Sequence, residues 1–154
     1  MLQQLVADGS LRPVNGTAFA VTPTLREAYS DGDEDELADV ALRDAALASL
    51  RLLGDAAEGL PARRAVLEAE AEDVNLRPDL DDAVVRLAGP IPLERVIAAY
   101  VDNAAAEPAV QAAVEVVDDA DLGDEDAELT VGDAQDHDLA WYAPQELPFL
   151  LELL

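Results

Sequence analysis

The feature of the sequence that most constrains the fold is a long amphipathic stretch at residues 34–53. At about 100° per residue, its apolar side chains cover roughly half of a helix circumference. Asp33 is placed to cap this helix together with Glu36 three residues later, and Gly54 is placed to end it. A face this wide needs a broad apolar partner, so the stretch predicts a helix that packs across a sheet.

Strand patterns supply that sheet. Four segments have the length and composition of short strands: residues 18–22, 63–70, 83–88 and 96–101. In residues 63–70 apolar side chains alternate with charged ones, which predicts a half-buried strand with Arg64 on its wet face. Residues 75–82 have the composition of a polar loop.

Two further helices complete the predicted fold. Pro108 begins one at residues 108–118, and another begins near Gln145, where Pro148 falls in the first turn and is tolerated. The acidic residues between 118 and 138 fit no element clearly. We expect one α/β domain (α+β mixed) over residues 1–154, with two layers and about four short strands in a mixed sheet covered by three main helices.

The net charge excludes several classes of partner. The chain has 34 acidic residues, nine arginines and no lysine, for a net charge of −25. Residues 1–95 hold all nine arginines and nineteen acids (−10), whereas residues 96–154 hold fifteen acids (−15). Such a surface repels nucleic-acid phosphates and anionic membranes, so a basic protein is the expected partner. A GC-rich genome or a salt-rich cytoplasm would also produce this composition.

Other counts bear on location and chemistry. Hydrophobic residues make up 51% of the chain, which is typical of a folded, soluble domain. No apolar run is long enough to span a membrane, and the amino terminus has no signal-peptide pattern, so we expect a cytoplasmic protein. The absence of cysteine and lysine excludes disulfides, thiolate catalysis and Schiff-base chemistry.

Candidate catalytic or metal-binding groups are few. His137 is the only histidine and lies between Asp136 and Asp138, where it could act as a general base or metal ligand. Asp31 and Asp33 begin a run that resembles a calcium loop, but its sixth position is Glu36 instead of glycine. Helix capping explains that run better.

Other carboxylates and the aromatic residues have simpler explanations. The row of Glu68, Glu70 and Glu72, and the Asp81–Asp82 pair, could supply paired carboxylates for hydrolysis, but alternating acids are more simply the wet face of a strand. The aromatic residues near the carboxyl terminus either anchor the last helix or belong to an exposed interface; they are Trp141, Tyr142 and Phe149.

Three stretches resemble an uncharacterised family of short acidic proteins from high-GC actinobacteria. They are residues 16–23 (GTAFAVTP), 85–90 (VRLAGP) and 136–142 (DHDLAWY), and residues 145–148 fit as well. The family is a domain of unknown function, so the resemblance implies no catalytic residue. It also implies a short strand before the first helix, which this chain lacks, so we expect a truncated amino terminus.

These observations favour a non-enzymatic protein-interaction or regulatory domain in which residues 115–138 present an acidic surface to a basic partner. No catalytic residue, cofactor or metal site is assigned, and the oligomeric state is not predicted. One alternative is a divalent-metal hydrolase that uses carboxylates and the histidine, namely Asp31, Asp33, Asp136, His137 and Asp138. A second alternative is a nucleic-acid mimic that competes for a DNA-binding protein.

Overall fold

The computed structural model of the chain describes residues 2–55 and 61–153. These residues form a mixed α+β fold, which confirms the predicted class. The helices are α1 (Leu2–Asp8), α2 (Pro23–Ala28), α3 (Glu34–Asp55), α4 (Glu107–Asp121), α5 (Glu125–Gln135) and α6 (Leu147–Leu153). The strands are β1 (Ser10–Leu11), β2 (Thr17–Phe19), β3 (Ala65–Ala69), β4 (Val74–Leu76), β5 (Val84–Leu87), β6 (Ile91–Pro92), β7 (Val96–Val101) and β8 (Ala140–Tyr142).

Helix α3 is the predicted amphipathic helix, but it includes Gly54 and reaches Asp55, so the prediction that Gly54 ends it is wrong. The Asp33 carboxylate accepts a hydrogen bond from the Glu36 backbone N–H at 2.8 Å, which confirms the predicted cap. Leu37, near the start of α3, packs in one buried cluster, and Leu50, near its end, packs in another. The helix therefore connects two parts of the core.

The core consists of three apolar clusters. The first joins α1, β1, β7 and α6, with Leu5 and Leu147 at its centre. The second joins Leu50 of α3 to the buried sides of α4 and α5. The third places Leu25 of α2 against Leu37 of α3. Aliphatic side chains dominate all three, in keeping with a chain that is only 4% aromatic.

The strands form three small sheets instead of one. The orders are β1–β6, β2–β5–β4 and β3–β7–β8, and every pair in the described residues is antiparallel. The predicted single mixed sheet of about four strands is therefore wrong in number and direction. Parallel pairs need a crossover of about a dozen residues or more, whereas residues 77–83 are a short connection that brings β5 back along β4.

Several predicted boundaries also change. Residues 74–76, at the start of the expected polar loop, form β4, an exposed edge strand whose three residues are too few for their alternation to reveal it. The unassigned acidic region contains the end of α4 and the whole of α5. Strand β8 precedes the final helix, which begins at Leu147 after a short 3-10 turn.

No helix within the described ranges combines the length and the apolar composition needed to cross a membrane.

Candidate functional site

The single histidine takes part in the structure through its backbone. Its N–H donates to the Ala134 carbonyl at 3.1 Å, which closes the turn after α5. The His137 carbonyl oxygen accepts a hydrogen bond from the Arg64 guanidinium at 2.8 Å. In the part of the chain that the structure describes, no group of three or more His, Asp or Glu side chains is placed to hold a metal ion. The five residues of the hydrolase hypothesis are not brought together there.

The carboxylates near the start of α3 serve the helix. Asp33 caps it, and Glu34 forms an exposed ion pair with Arg26 of α2. Asp33 is at the third position of the calcium-loop pattern, where a ligand would be needed, and its carboxylate is used as the helix cap instead.

The other predicted carboxylates lie apart or have protein partners. Glu68 accepts a hydrogen bond from the Tyr100 hydroxyl at 3.1 Å, and Glu72 pairs with Arg95 at 3.3 Å. Burial, and then the bond to Glu68, raises the pKa of Tyr100. Asp81 and Asp82 lie close enough to α3 to repel Asp44; burial first, and then these two charges, raise the pKa of Asp44.

A buried ion pair escaped the sequence analysis. Arg64 is 1% exposed and Asp102 is fully buried, so the prediction that Arg64 lies on a wet strand face is wrong. The two side chains form a bidentate pair, with Nε to Oδ2 at 2.9 Å and Nη2 to Oδ1 at 2.8 Å. The Arg64 backbone N–H also donates to Asp102 Oδ2 at 2.8 Å. Every charge of the pair is thus met inside the protein.

This pair fixes the position of the carboxyl-terminal end of α5. Arg64 Nη1 donates to the Gln135 side-chain oxygen at 2.8 Å, and Gln135 Nε2 donates to the Arg43 carbonyl of α3 at 3.1 Å. Strand β3, helix α3 and helix α5 are therefore held together by one polar network. A bidentate, buried geometry of this kind stabilises a unique arrangement, and no catalytic role follows from it.

Helices α4 and α5 form an αα-hairpin, which we call the acidic hairpin (residues 107–138). Its buried side consists of Val110, Ala113, Val117, Ala127 and Ala134. Gly123 turns the chain with a φ of 95°, and the Asp124 carboxylate caps α5 by accepting from the Ala127 N–H at 2.9 Å. This cap and the acids after it were the available sign of α5 in the sequence.

The solvent side of the acidic hairpin is negatively charged. Residues 115–138 contain eleven Asp and Glu and no Arg or Lys. Asp121 is the member of this group that appears in an ion pair in the described structure; it contacts Arg51 of α3 at 2.8 Å. That hydrogen bond lowers the pKa of Asp121. The predicted acidic stretch is thus carried on two ordered helices.

Two leucines interrupt this acidic surface. Leu122 is 87% exposed and Leu129 is 70% exposed. Leu122 immediately follows the last residue of α4, Asp121, and Leu129 lies with Asp126 and Asp133 on one face of α5. Each leucine is therefore exposed to solvent close to carboxylates.

The sequence left two interpretations open for the carboxyl-terminal aromatic residues, an anchor for the last helix or an exposed interface, and these residues differ in their burial. Tyr142 packs against the first core cluster, whereas Trp141 of β8 and Phe149 of α6 are exposed.

Comparison with known proteins identifies a family whose function is unknown. No curated protein and no solved structure matches the chain. A family model described as "Family of unknown function (DUF6912)" matches residues 1–151. This confirms that the chain belongs to an uncharacterised family; the acidic character and the actinobacterial origin of that family stay predictions. Because the match covers nearly the whole sequence, the chain belongs to this family of unknown function.

Proposed function

We propose that this chain is a non-enzymatic protein-interaction domain that binds a basic partner through the acidic hairpin. The observation that carries the proposal is the exposure of Leu122 and Leu129 within residues 115–138, a stretch of the sequence with eleven acids and no Arg or Lys. Acids alone would be explained by solvation. A single exposed leucine is ordinary on a protein surface, so the proposal rests on the two leucines together with the eleven acids of residues 115–138, a combination of apolar and charged groups that a basic protein surface complements.

The chemistry of the surface defines the partner. Carboxylates around the leucines favour Lys and Arg side chains, and the leucines favour an apolar patch between them. The same charges oppose nucleic acid and anionic membranes, so neither is proposed as a direct partner. Electrostatic attraction mainly accelerates association, and the buried leucines then slow dissociation.

The position of the hairpin also suits docking. Its buried side rests on Leu50 of α3, and its ends are tied by the Arg51–Asp121 ion pair and the Arg64–Gln135 hydrogen bond. A surface held in one arrangement loses little conformational entropy when a partner binds.

Affinity capture from a lysate of the source cells tests the proposal. The hairpin variant carries Glu115→Gln, Asp118→Asn and Asp133→Asn. A control variant carries Asp8→Asn, Glu27→Gln and Asp31→Asn, which are exposed elsewhere. Both variants lose three negative charges. We expect the wild-type chain to retain a basic protein at about 0.05 M salt and release it at about 0.5 M.

The matched pair decides whether the site or only the total charge matters. The hairpin variant is expected to retain about tenfold less partner, whereas the control variant stays close to wild type. Equal losses in both variants, or retention that salt does not change, would contradict the proposal.

A further inference from the structure

A groove separates two of the small sheets. Strand β2 is paired only with β5, and β3 only with β7, so each is an edge strand in the described topology. Residues of both strands line one groove of about 1200 Å³, and the face of α3 from Ala38 to Leu52 forms its floor. We call this the β2–β3 groove. The edges of two strands, β2 and β3, and one helix, α3, therefore border the same groove.

Hydrogen bonds already made show which way the β2 backbone faces. The Ala20 N–H donates to the Ala83 carbonyl on the β5 side at 2.9 Å. Backbone groups alternate in direction along a strand, so those of Phe19 face away from β5. Phe19 lines the groove.

The same argument applies to β3. The Arg64 carbonyl accepts from the Asp102 N–H on the β7 side at 3.1 Å, so the groups of Ala65 and Leu67 face away from β7. The Ala65 N–H indeed donates to the Ser49 hydroxyl of α3, at 3.0 Å. Leu67, two residues further on, faces the same way and also lines the groove.

An extended polypeptide matches this geometry. The floor from Ala38 to Leu52 is about 21 Å long at 1.5 Å per residue. A strand of about six residues has the same length and can hydrogen-bond to neighbours on both sides. Floor residues such as Ala41, Leu42 and Ala45 are aliphatic and suit aliphatic side chains on every second residue of the occupant.

Charge narrows the choice of occupant. Asp35, Asp39 and Glu68 line the groove, and none of them belongs to an ion pair that the structure describes. Arg51 and Arg63 also line it, but they pair with Asp121 and Glu107; Arg12 is the third arginine of the lining. Of the lining charges without an ion pair in the described structure, three are acids and one is an arginine, so the balance favours Lys or Arg on the occupant. A second copy of a chain with charge −25 is opposed by like charge.

We propose that the β2–β3 groove binds an extended segment of a basic partner protein, with aliphatic residues alternating with Lys or Arg, as a strand between β2 and β3. Neither Leu122 nor Leu129 of the acidic hairpin lines the β2–β3 groove, so this proposal does not depend on the function proposed for the hairpin. Occupancy would join the β4–β5–β2 and β3–β7–β8 sheets into one.

A synthetic ten-residue peptide of alternating valine and arginine, with blocked termini, serves as the probe for the full chain. Titration calorimetry measures its affinity, and amide hydrogen exchange followed by NMR locates it. We expect slower exchange at the Phe19 and Leu67 amides, which face the groove. A peptide of equal charge, N-methylated at every second residue, loses the bonds to one edge and is expected to bind at least about tenfold more weakly.

Matched variants separate the groove from general charge attraction. Ala45→Phe places an aromatic ring on the floor of the groove and is expected to lower the affinity for the peptide at least about tenfold. Ala112→Phe, on the exposed side of α4, is expected to leave that affinity unchanged. The hairpin variant should bind the peptide as the charge-matched control variant does. This outcome distinguishes the two surfaces.

Three results would overturn the proposal. One is equal binding of the normal and the N-methylated peptide. Another is protection by the peptide at amides outside β2 and β3 instead of at Phe19 and Leu67. This result is measured on the unaltered chain, so it does not depend on whether the Ala45→Phe variant folds. The third is protection of the Phe19 and Leu67 amides without peptide, which would mean that a second copy or another segment already fills the groove.

Discussion

Arg64 and Asp102 are the residues on which the fold depends most heavily. Both are buried, and each supplies the counter-charge of the other. We expect Asp102→Ala to lower the free energy of unfolding by about 3–5 kcal/mol, because it leaves an arginine buried without its carboxylate. Urea denaturation followed by circular dichroism measures this.

An exposed ion pair supplies the control. Asp79 pairs with Arg77 at 2.8 Å on the surface, so Asp79→Ala is expected to leave the free energy of unfolding nearly unchanged. If Asp102→Ala costs less than about 1 kcal/mol, the buried pair does not have the structural role assigned to it.

Asp44 predicts a pH dependence of stability. Its pKa is raised in the folded state, by burial and by Asp81 and Asp82, so the folded protein disfavours the charged carboxylate. Asp44→Asn is therefore expected to raise the melting temperature at neutral pH. The gain should disappear as pH falls below the ordinary carboxyl pKa of 3.8, where Asp44 is protonated in both the folded and the unfolded states.

Asp121 should behave in the opposite way. Arg51 lowers its pKa, so its carboxylate stabilises the fold above pH 3.8 and that contribution is lost as pH falls through the lowered pKa. Asp121→Asn is expected to lower the melting temperature at neutral pH. Thermal scans at neutral and acidic pH compare the two variants; shifts of the same sign would refute the assignment.

At the scale of elements, substitutions of two glycines test the backbone conformation of the turn before β2 and of helix α5. Gly16 has a φ of 70°, and an added Cβ would lie 2.7 Å from the Leu87 carbonyl oxygen of β5. Gly16→Ala is expected to destabilise the protein by about 2–4 kcal/mol, from the left-handed conformation and the clash together. Gly132 lies inside α5 with nothing within 4 Å of an added Cβ, so Gly132→Ala should stabilise by about 0.5–1 kcal/mol. Urea denaturation of the two variants would reject this account if both lost stability.

The leucines of the acidic hairpin separate binding from folding. Leu122 and Leu129 lie mostly in water, so replacing both with serine should change the free energy of unfolding by less than about 1 kcal/mol. The same change is expected to reduce capture of the basic partner about tenfold, because the partner would lose its apolar contacts. Unchanged capture by the double variant would show that the leucines do not contribute to the interface.

Elements with a strong period were predictable, and elements defined by distant partners were not. Helix α3 follows from the helical spacing of its apolar residues, and strand β7 from a short apolar run. Strand β4 is exposed throughout, and β8 has three residues, so only pairing with β5 and β7 defines them. Arg64 follows the same rule: its burial depends on Asp102, 38 residues away, which no local pattern reveals.

At the scale of the whole molecule, the charge is distributed unevenly around a well-packed interior. Six of the nine arginines take part in the ion pairs that the structure describes, and Arg63 and Arg51 contact the two ends of α4. The uneven charge was readable from the sequence. Its display on an αα-hairpin with two exposed leucines was not, because the buried residues of α5 are two alanines, Ala127 and Ala134, which give no strong apolar period.

Zero-length carbodiimide cross-linking of the captured complex tests the central claim most directly. The reagent joins carboxylates to amines, and because this chain has no lysine, cross-links to lysine side chains identify its contacts with the partner. Residues 115–138 hold eleven of the 34 acids, and we predict that most cross-links fall among them. Cross-links spread over all 34 acids in proportion to their exposure would contradict a docking surface on the hairpin.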